Sequence, residues 1–128
     1  MANVDYKNIR INGCKYYGKH MMLTLESCND NLLSVEKIKD FLKELADQID
    51  MIRYGEPIAA RFGDGCQVGI SAVQLITTSA LTAHTNDAAR DMYLDVFSCK
   101  WFDEETVIGV VNKYYAPKII THQIVIRK

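Results

Sequence analysis

The sequence predicts an α+β fold, a two-layer sandwich in which an antiparallel sheet carries two helices on one face. Three observations predict it. Two stretches place apolar residues at steps of three and four, the spacing of a helix with one buried stripe. Several others alternate apolar and polar residues with the period of a strand. The resulting order, β-α-β-β-β-β-α-β, is that of an α+β sandwich. Helices on one face leave the other sheet face bare, and a second copy packed sheet to sheet would cover it. The expected assembly is therefore a homodimer.

Residues 1–17 are polar and mixed, and read as an N-terminal arm or edge strand with a turn at Asn12-Gly13. The main domain is expected over residues 18–128. His20–Glu26 alternates, with His20, Met22, Thr24 and Glu26 on one face. The Met21-Met22 pair reads as core. Cys28–Asn31 is a polar loop, and Ser34 is placed to cap a helix. That helix runs from Val35 to about Met51, with a stripe of Ile38, Phe41, Leu42, Leu45, Ile49 and Ile52.

Gly55-Glu56-Pro57 predicts a break, followed by a short strand Ile58–Phe62 and a turn at Gly63-Asp64-Gly65. Val68–Thr77 is a long strand whose Ser71, Val73 and Leu75 share a face. Ser79–Thr85 and Asp91–Phe97 follow, joined by the polar Asn86-Asp87-Ala88-Ala89. Asp103-Glu104-Glu105 puts acidic groups where a helix N-terminus favours them, and that helix reaches about Tyr115 before Pro117. Lys118–Arg127 is the last strand, with Ile120, His122, Ile124 and Ile126 on one face.

With 128 residues the chain is of single-domain size and can bury a core without staples. It is 48% hydrophobic and 24% charged, with a net charge of −1, so nothing in its electrostatics favours nucleic acid or an anionic membrane as a partner. No apolar run approaches a bilayer span, and the first residues lack the apolar segment of a signal peptide. Cys14, Cys28, Cys66 and Cys99 are widely spaced without a C-x-x-C pair. That pattern fits reduced thiols and a cytoplasmic location better than a zinc site or disulfides, and no metal is expected.

The chemistry-bearing stretch is Leu75–Cys99, which brings a hydroxyl, an imidazole and a thiol onto neighbouring strands. Singly, Ser79, His84 and Cys99 are ordinary strand residues. Together, Ser79-Ala80-Leu81-Thr82-Ala83-His84-Thr85 and Asp95-Val96-Phe97-Ser98-Cys99, with Gly69-Ile70-Ser71-Ala72 upstream and Gly18-Lys19-His20 before them, form a pattern. It resembles the prokaryotic S-adenosylmethionine decarboxylase family, whose members make their own pyruvoyl cofactor. The family carries Ser-His-x-x-x-His-Thr, then Asp-hydrophobic-Phe-Thr-Cys, after a Gly-hydrophobic-Ser-Gly strand and a Gly-Arg-His opening.

The resemblance implies roles. Ser79 would attack the carbonyl of Thr78, and elimination would cut the chain there and leave a pyruvoyl group derived from Ser79. That ketone would form a Schiff base with the substrate amine and accept the electrons released by decarboxylation. His84 would assist the elimination and Ser71 would position it. Cys99 would return a proton to the substrate carbon. Ser79 and His84 are five residues apart, so a straight strand would put them on opposite faces. A bend or bulge at the serine, or the neighbouring strand, would have to join them.

The sequence also departs from the family. Thr78 stands where the family has Glu, Ala80 where it has His, and Thr24 where it has an acidic residue, with Glu26 two residues on and on the same face. Asn86-Asp87-Ala88 replaces Trp-Pro-Glu, whose Trp and Glu contact adenine and ribose by the same resemblance. With a short insertion at Gly63–Gly65, Phe62 matches the family's other stacking aromatic. The expected substrate contacts are thus Phe62 and Glu26. Three readings follow: an S-adenosylmethionine decarboxylase of polyamine synthesis, a pyruvoyl decarboxylase of another amino acid such as arginine or ornithine, or an uncleaved homologue serving as a partner subunit.

Overall fold

The structure, a computed structural model, describes residues 4–128. The part of the arm that falls on residues 1–3 lies outside them. The rest of the arm is a small hairpin, β1 (Ile9–Ile11) and β2 (Cys14–Tyr16), rather than an edge strand of the main sheet. Asn12 and Gly13, at φ 50° and 80°, supply the two left-handed residues that a tight hairpin turn needs.

Six strands form the main sheet: β3 (Gly18–Glu26), β4 (Arg53–Phe62), β5 (Gly69–Ile76), β6 (Ser79–Asn86), β7 (Asp91–Ser98) and β8 (Ile119–Arg127). Their order is β4-β5-β6-β7-β3-β8, and every neighbouring pair is antiparallel. Helices α1 (Val35–Gln48) and α2 (Glu104–Tyr115) complete the second layer. No described helix is long and apolar enough to cross a membrane.

One sheet face and the two helices share the core. Met21, Leu23 and Leu25 of β3, Leu81 and Ala83 of β6, and Met92, Leu94 and Val96 of β7 pack with Ile38, Phe41, Leu42 and Leu45 of α1 and Val107, Val110 and Val111 of α2. Each fully buried leucine or phenylalanine contributes about 1.5–3 kcal/mol. The Ser34 hydroxyl accepts the Lys37 N–H at 3.1 Å and caps α1 as its position in the sequence predicts. At the far end of α2, Ala116 turns left-handed at φ 40°, one residue before Pro117.

Three local expectations need correcting. Met22 is not core; strand alternation turns it to the opposite face from Met21. The helical stripe ends early, because α1 stops at Gln48 and leaves Ile52 69% exposed. Gly55-Glu56-Pro57 does not break the chain but forms an irregularity inside β4, between Tyr54 and Ile58. The wholly buried Gln74 makes this possible, since its amide N–H group donates to the Gly55 carbonyl at 3.1 Å, which the irregular pairing leaves without a ladder partner.

The other face of the sheet carries no helix. Cross-strand pairs put Tyr54 with Leu75, Phe62 with Gly69, Tyr93 with His84 and Val125 with His20 on it. Tyr54, Ile58, Phe62, Leu75, Tyr93 and Val125 are all exposed there. So many large apolar groups on one side form a patch of the kind that marks an interaction surface.

Candidate active site

The sheet register sorts the candidate residues into three places. The first is the hairpin joining β5 to β6. Ile76 pairs with Ser79, so Thr77 and Thr78 are its two turn residues and the Thr78–Ser79 bond lies at the turn. Ser79 also pairs with Ser98 across to β7, which brings the turn against the end of that strand.

Thr78 is held there by a short polar chain. The Lys100 N–H donates to Ser98 Oγ at 2.9 Å, Ser98 Oγ donates to Thr78 Oγ1 at 3.0 Å, and Thr78 Oγ1 points at Met51 Sδ at 3.3 Å. Ser98 is completely buried. The Cys99 N–H donates to the Thr78 carbonyl at 3.0 Å. A donor on that oxygen polarises the carbonyl that Ser79 would attack, and strengthens as negative charge grows on it. The half-buried Cys99 places its thiol in the same neighbourhood, and it lines a cavity of about 500 Å3 with Asn8, Ile9, Arg10, Thr78, Lys100 and Trp101.

Second, the bare face of the sheet carries a hydroxyl and an imidazole side by side. Ser71 and His84 are cross-strand partners, and Ser71 Oγ lies 3.0 Å from His84 Nδ1. The pairing needs a close approach of β5 to β6. At Gly69 an added Cβ would stand 1.7 Å from the Thr85 carbonyl oxygen, so only glycine fits. The Thr85 hydroxyl accepts the Ile70 N–H at 2.8 Å and fixes the same crossing.

Third, Phe62 and Glu26 sit at the sheet end remote from the hairpin. Phe62 closes β4 and is 63% exposed. Glu26 closes β3 and lines a separate cavity of about 510 Å3 with Met22, Thr24, Thr121, His122 and Gln123.

The fold thus brings Ser71 to His84 and Cys99 to Thr78. It does not bring Ser79 to His84 within one chain. Neither a bulge nor a neighbouring strand joins them, because β6 pairs regularly from Ser79 to Asn86 on β7. The two stand five residues apart, about 17 Å at strand rise, on opposite faces. The cause is the tight two-residue hairpin, which starts regular pairing at Ser79 itself.

Several groups at these places went unremarked in the sequence. His20 Nε2 lies 3.0 Å from Asp95 Oδ1 on the bare face, and Thr82 Oγ1 approaches the other carboxylate oxygen at 3.5 Å. Tyr93 flanks His84 across the β6–β7 pair. Ser98 and the Thr78 hydroxyl hold the turn. His20 and Asp95 do stand in the quoted motifs, but only the β3–β7 register makes them neighbours.

Two replaced family positions are accounted for. The Asn86 amide N–H group donates to the Cys66 carbonyl at 2.9 Å while its Oδ1 accepts the Ala89 N–H at 2.9 Å, so this side chain shapes the β6–β7 turn. Asp87 receives the Arg61 guanidinium at 3.1 Å. Trp101 lies under the Lys19 ammonium at 3.9 Å. Lys19 is 1% exposed, and donates to the Phe102 carbonyl at 2.8 Å, with the Glu104 carboxylate at 3.1 Å. It thereby ties the segment after Cys99 to β3.

Comparisons with known proteins agree with this fold. A family model described as S-adenosylmethionine decarboxylase matches residues 19–128. An S-adenosylmethionine decarboxylase proenzyme of Thermodesulfovibrio yellowstonii is 31% identical over 83 residues, which is 64% of this chain and 58% of that relative. The crystal structure of the adenosylmethionine decarboxylase from Aquifex aeolicus superposes with a TM-score of 0.75 at 21% identity, over 89% of this chain and 92% of that one. At that identity the likeness speaks for the fold.

Proposed function

The chain belongs to the S-adenosylmethionine decarboxylase family, and on that premise we propose that it cuts itself between Thr78 and Ser79 and decarboxylates S-adenosylmethionine for polyamine (spermidine) synthesis. The observation that carries the reading is the Cys99 N–H donated to the Thr78 carbonyl at 3.0 Å, immediately before Ser79. A serine beside a polarised carbonyl in a half-buried turn fits the formation of a pyruvoyl group.

In this reading Ser79 Oγ attacks the Thr78 carbonyl carbon and the amide C–N bond breaks, leaving an ester and a free amine on residue 79. The Cys99 N–H holds the oxygen that bears the charge. A base then takes the Cα proton of residue 79, the Cβ–O bond breaks, and Thr78 departs as a carboxylate. Water replaces the nitrogen, released as ammonia, and completes the ketone. The pyruvoyl group supplies an electron sink for decarboxylation. His84 is the base, with Ser71 on its Nδ1 setting its orientation and tautomer. After the acyl shift residue 79 is still held by its ester to Thr78 and its peptide bond to Ala80, so in this reading the His84 that takes the proton comes from a second copy stacked on the bare face. The Cys99 thiol gives a proton to the substrate carbon.

Phe62 and Glu26 complete the site only from a second copy. Two bare faces stacked about a two-fold axis running across the strands reverse one sheet against the other. The remote end of one chain then faces the hairpin end of its partner, with Phe62 and Glu26 of each set for substrate contact. The exposed apolar groups of the bare face support this homodimer.

A second reading rests on the distance between Ser79 and His84: an uncut homologue acting as a partner subunit. Release of carbon dioxide from carboxyl-labelled S-adenosylmethionine, arginine and ornithine, by the wild-type chain and by Ser79→Ala, separates the readings. Release from S-adenosylmethionine that vanishes in the variant supports the proposal. Release from arginine or ornithine alone moves it to another amino acid, and no release from any of them favours the partner subunit.

A further inference from the structure

The matched family region begins at residue 19, yet the hairpin before it supplies part of the wall of the cavity at the Thr78–Ser79 bond. Asn8, Ile9 and Arg10 form one side, and Thr78, Cys99, Lys100 and Trp101 the other. Ile9 is 4% exposed, so β1 is seated rather than dangling. Among the described lining residues two carry charge, and both are cations. Lys100 is engaged, with its ammonium 2.8 Å from the Asp50 carbonyl oxygen and 3.1 Å from the Asp50 carboxylate. Arg10 is held loosely: its guanidinium lies 3.8 Å from Asp5, whose carboxylate already takes the Lys15 ammonium at 2.8 Å.

Self-cleavage as proposed above creates one anion in this cavity. The elimination expels Thr78 with the electron pair of the broken Cβ–O bond, so a neutral carbonyl becomes a carboxylate at a residue lining the same space as Arg10. We propose that the N-terminal hairpin is an anion-receiving wall for the cut, and that Arg10 stabilises the departing Thr78 carboxylate. The inference rests on the self-cleaving reading. Arg10 acts as a leaving-group stabiliser, because charge on the Thr78 oxygens is partial in the elimination transition state and full afterward. A guanidinium suits the role, being charged at all working pH values and able to pair with both carboxylate oxygens. The hairpin thus has a task in maturation that the strands of the main sheet do not share.

The test follows cutting of newly synthesised chain by time-resolved mass spectrometry, in the wild type, Arg10→Lys, Arg10→Ala and Arg10→Glu. Arg10 is largely exposed, so all four should share one urea midpoint, which is measured alongside. Cutting should slow at least threefold in Arg10→Ala and further in Arg10→Glu, with Arg10→Lys restoring most of the rate. Molar salt should narrow the gap between wild type and Arg10→Ala, since screening weakens an exposed charge. A wild type that cuts, with Arg10→Glu cutting equally fast, overturns this inference and leaves the self-cleaving reading standing. A wild type that never cuts overturns both.

Discussion

Replacing Ser98 by alanine should loosen the turn that carries the Thr78–Ser79 bond. The buried Ser98 hydroxyl makes two good hydrogen bonds, one donated to Thr78 Oγ1 at 3.0 Å and one accepted from the Lys100 N–H at 2.9 Å. Each is worth about 0.5–1.5 kcal/mol net, and groups left unpaired add to the cost. The variant should therefore lose about 1–3 kcal/mol. A double-mutant cycle isolates the part that concerns the turn. Thr78→Val removes the hydroxyl and keeps the branched shape, so the Ser98→Ala and Thr78→Val pair should couple by about 1 kcal/mol. Urea unfolding measures it, with every chain carrying Ser79→Ala so that none is cut. Additive effects, within about 0.3 kcal/mol, would refute the claim that Ser98 grips Thr78.

Other outcomes follow from the same geometry. Gly69→Ala should cost about 3 kcal/mol or more by thermal melting, because its Cβ would meet the Thr85 carbonyl oxygen at 1.7 Å and force β5 from β6. Leu45→Ala, in the last turn of α1 and fully buried, should cost about 2–5 kcal/mol in urea. Burial, then the Asp91 carboxylate, pushes the Cys28 thiol from 9.0 up to about 11. Below pH 9.0 that thiol is protonated folded and unfolded alike; between there and about 11 only the unfolded chain ionises, so stability falls as pH rises. Urea midpoints at pH 8, 10 and 11 should fall less steeply in Cys28→Ala than in the wild type. Cys99→Ala should still cut, because the Thr78 carbonyl is held by its backbone N–H, but should turn over poorly; normal turnover would remove the thiol from the mechanism.

The main sheet, its two helices and their order were legible because each element buries one face and so must repeat with its own period. Met21, Leu23 and Leu25 on β3 show this, as do Ile38, Phe41, Leu42 and Leu45 on α1. What escaped was set by partners distant in sequence. Pro57 reads as a break, but Gln74 satisfies the backbone there and β4 runs on. Met22 looks like core beside Met21, yet a period of two must send one of the pair outward. For the site, the resemblance to the family's motifs named Ser71, Ser79, His84 and Cys99, and the register made Ser71 and His84 neighbours. The motifs did not reveal Ser98 bonded to Thr78 or His20 bonded to Asp95, because the first contact depends on the register at the open end of the β6–β7 hairpin and the second joins strands 75 residues apart.

The central claim concerns the bond after Thr78, and a denaturing mass spectrum of freshly purified protein addresses it most directly. Self-cleavage gives two masses, one for residues 1–78 and one for residues 79–128 with a ketone that hydrazine reagents label at its first residue. A single mass for the intact 128-residue chain, unlabelled by those reagents, would contradict it.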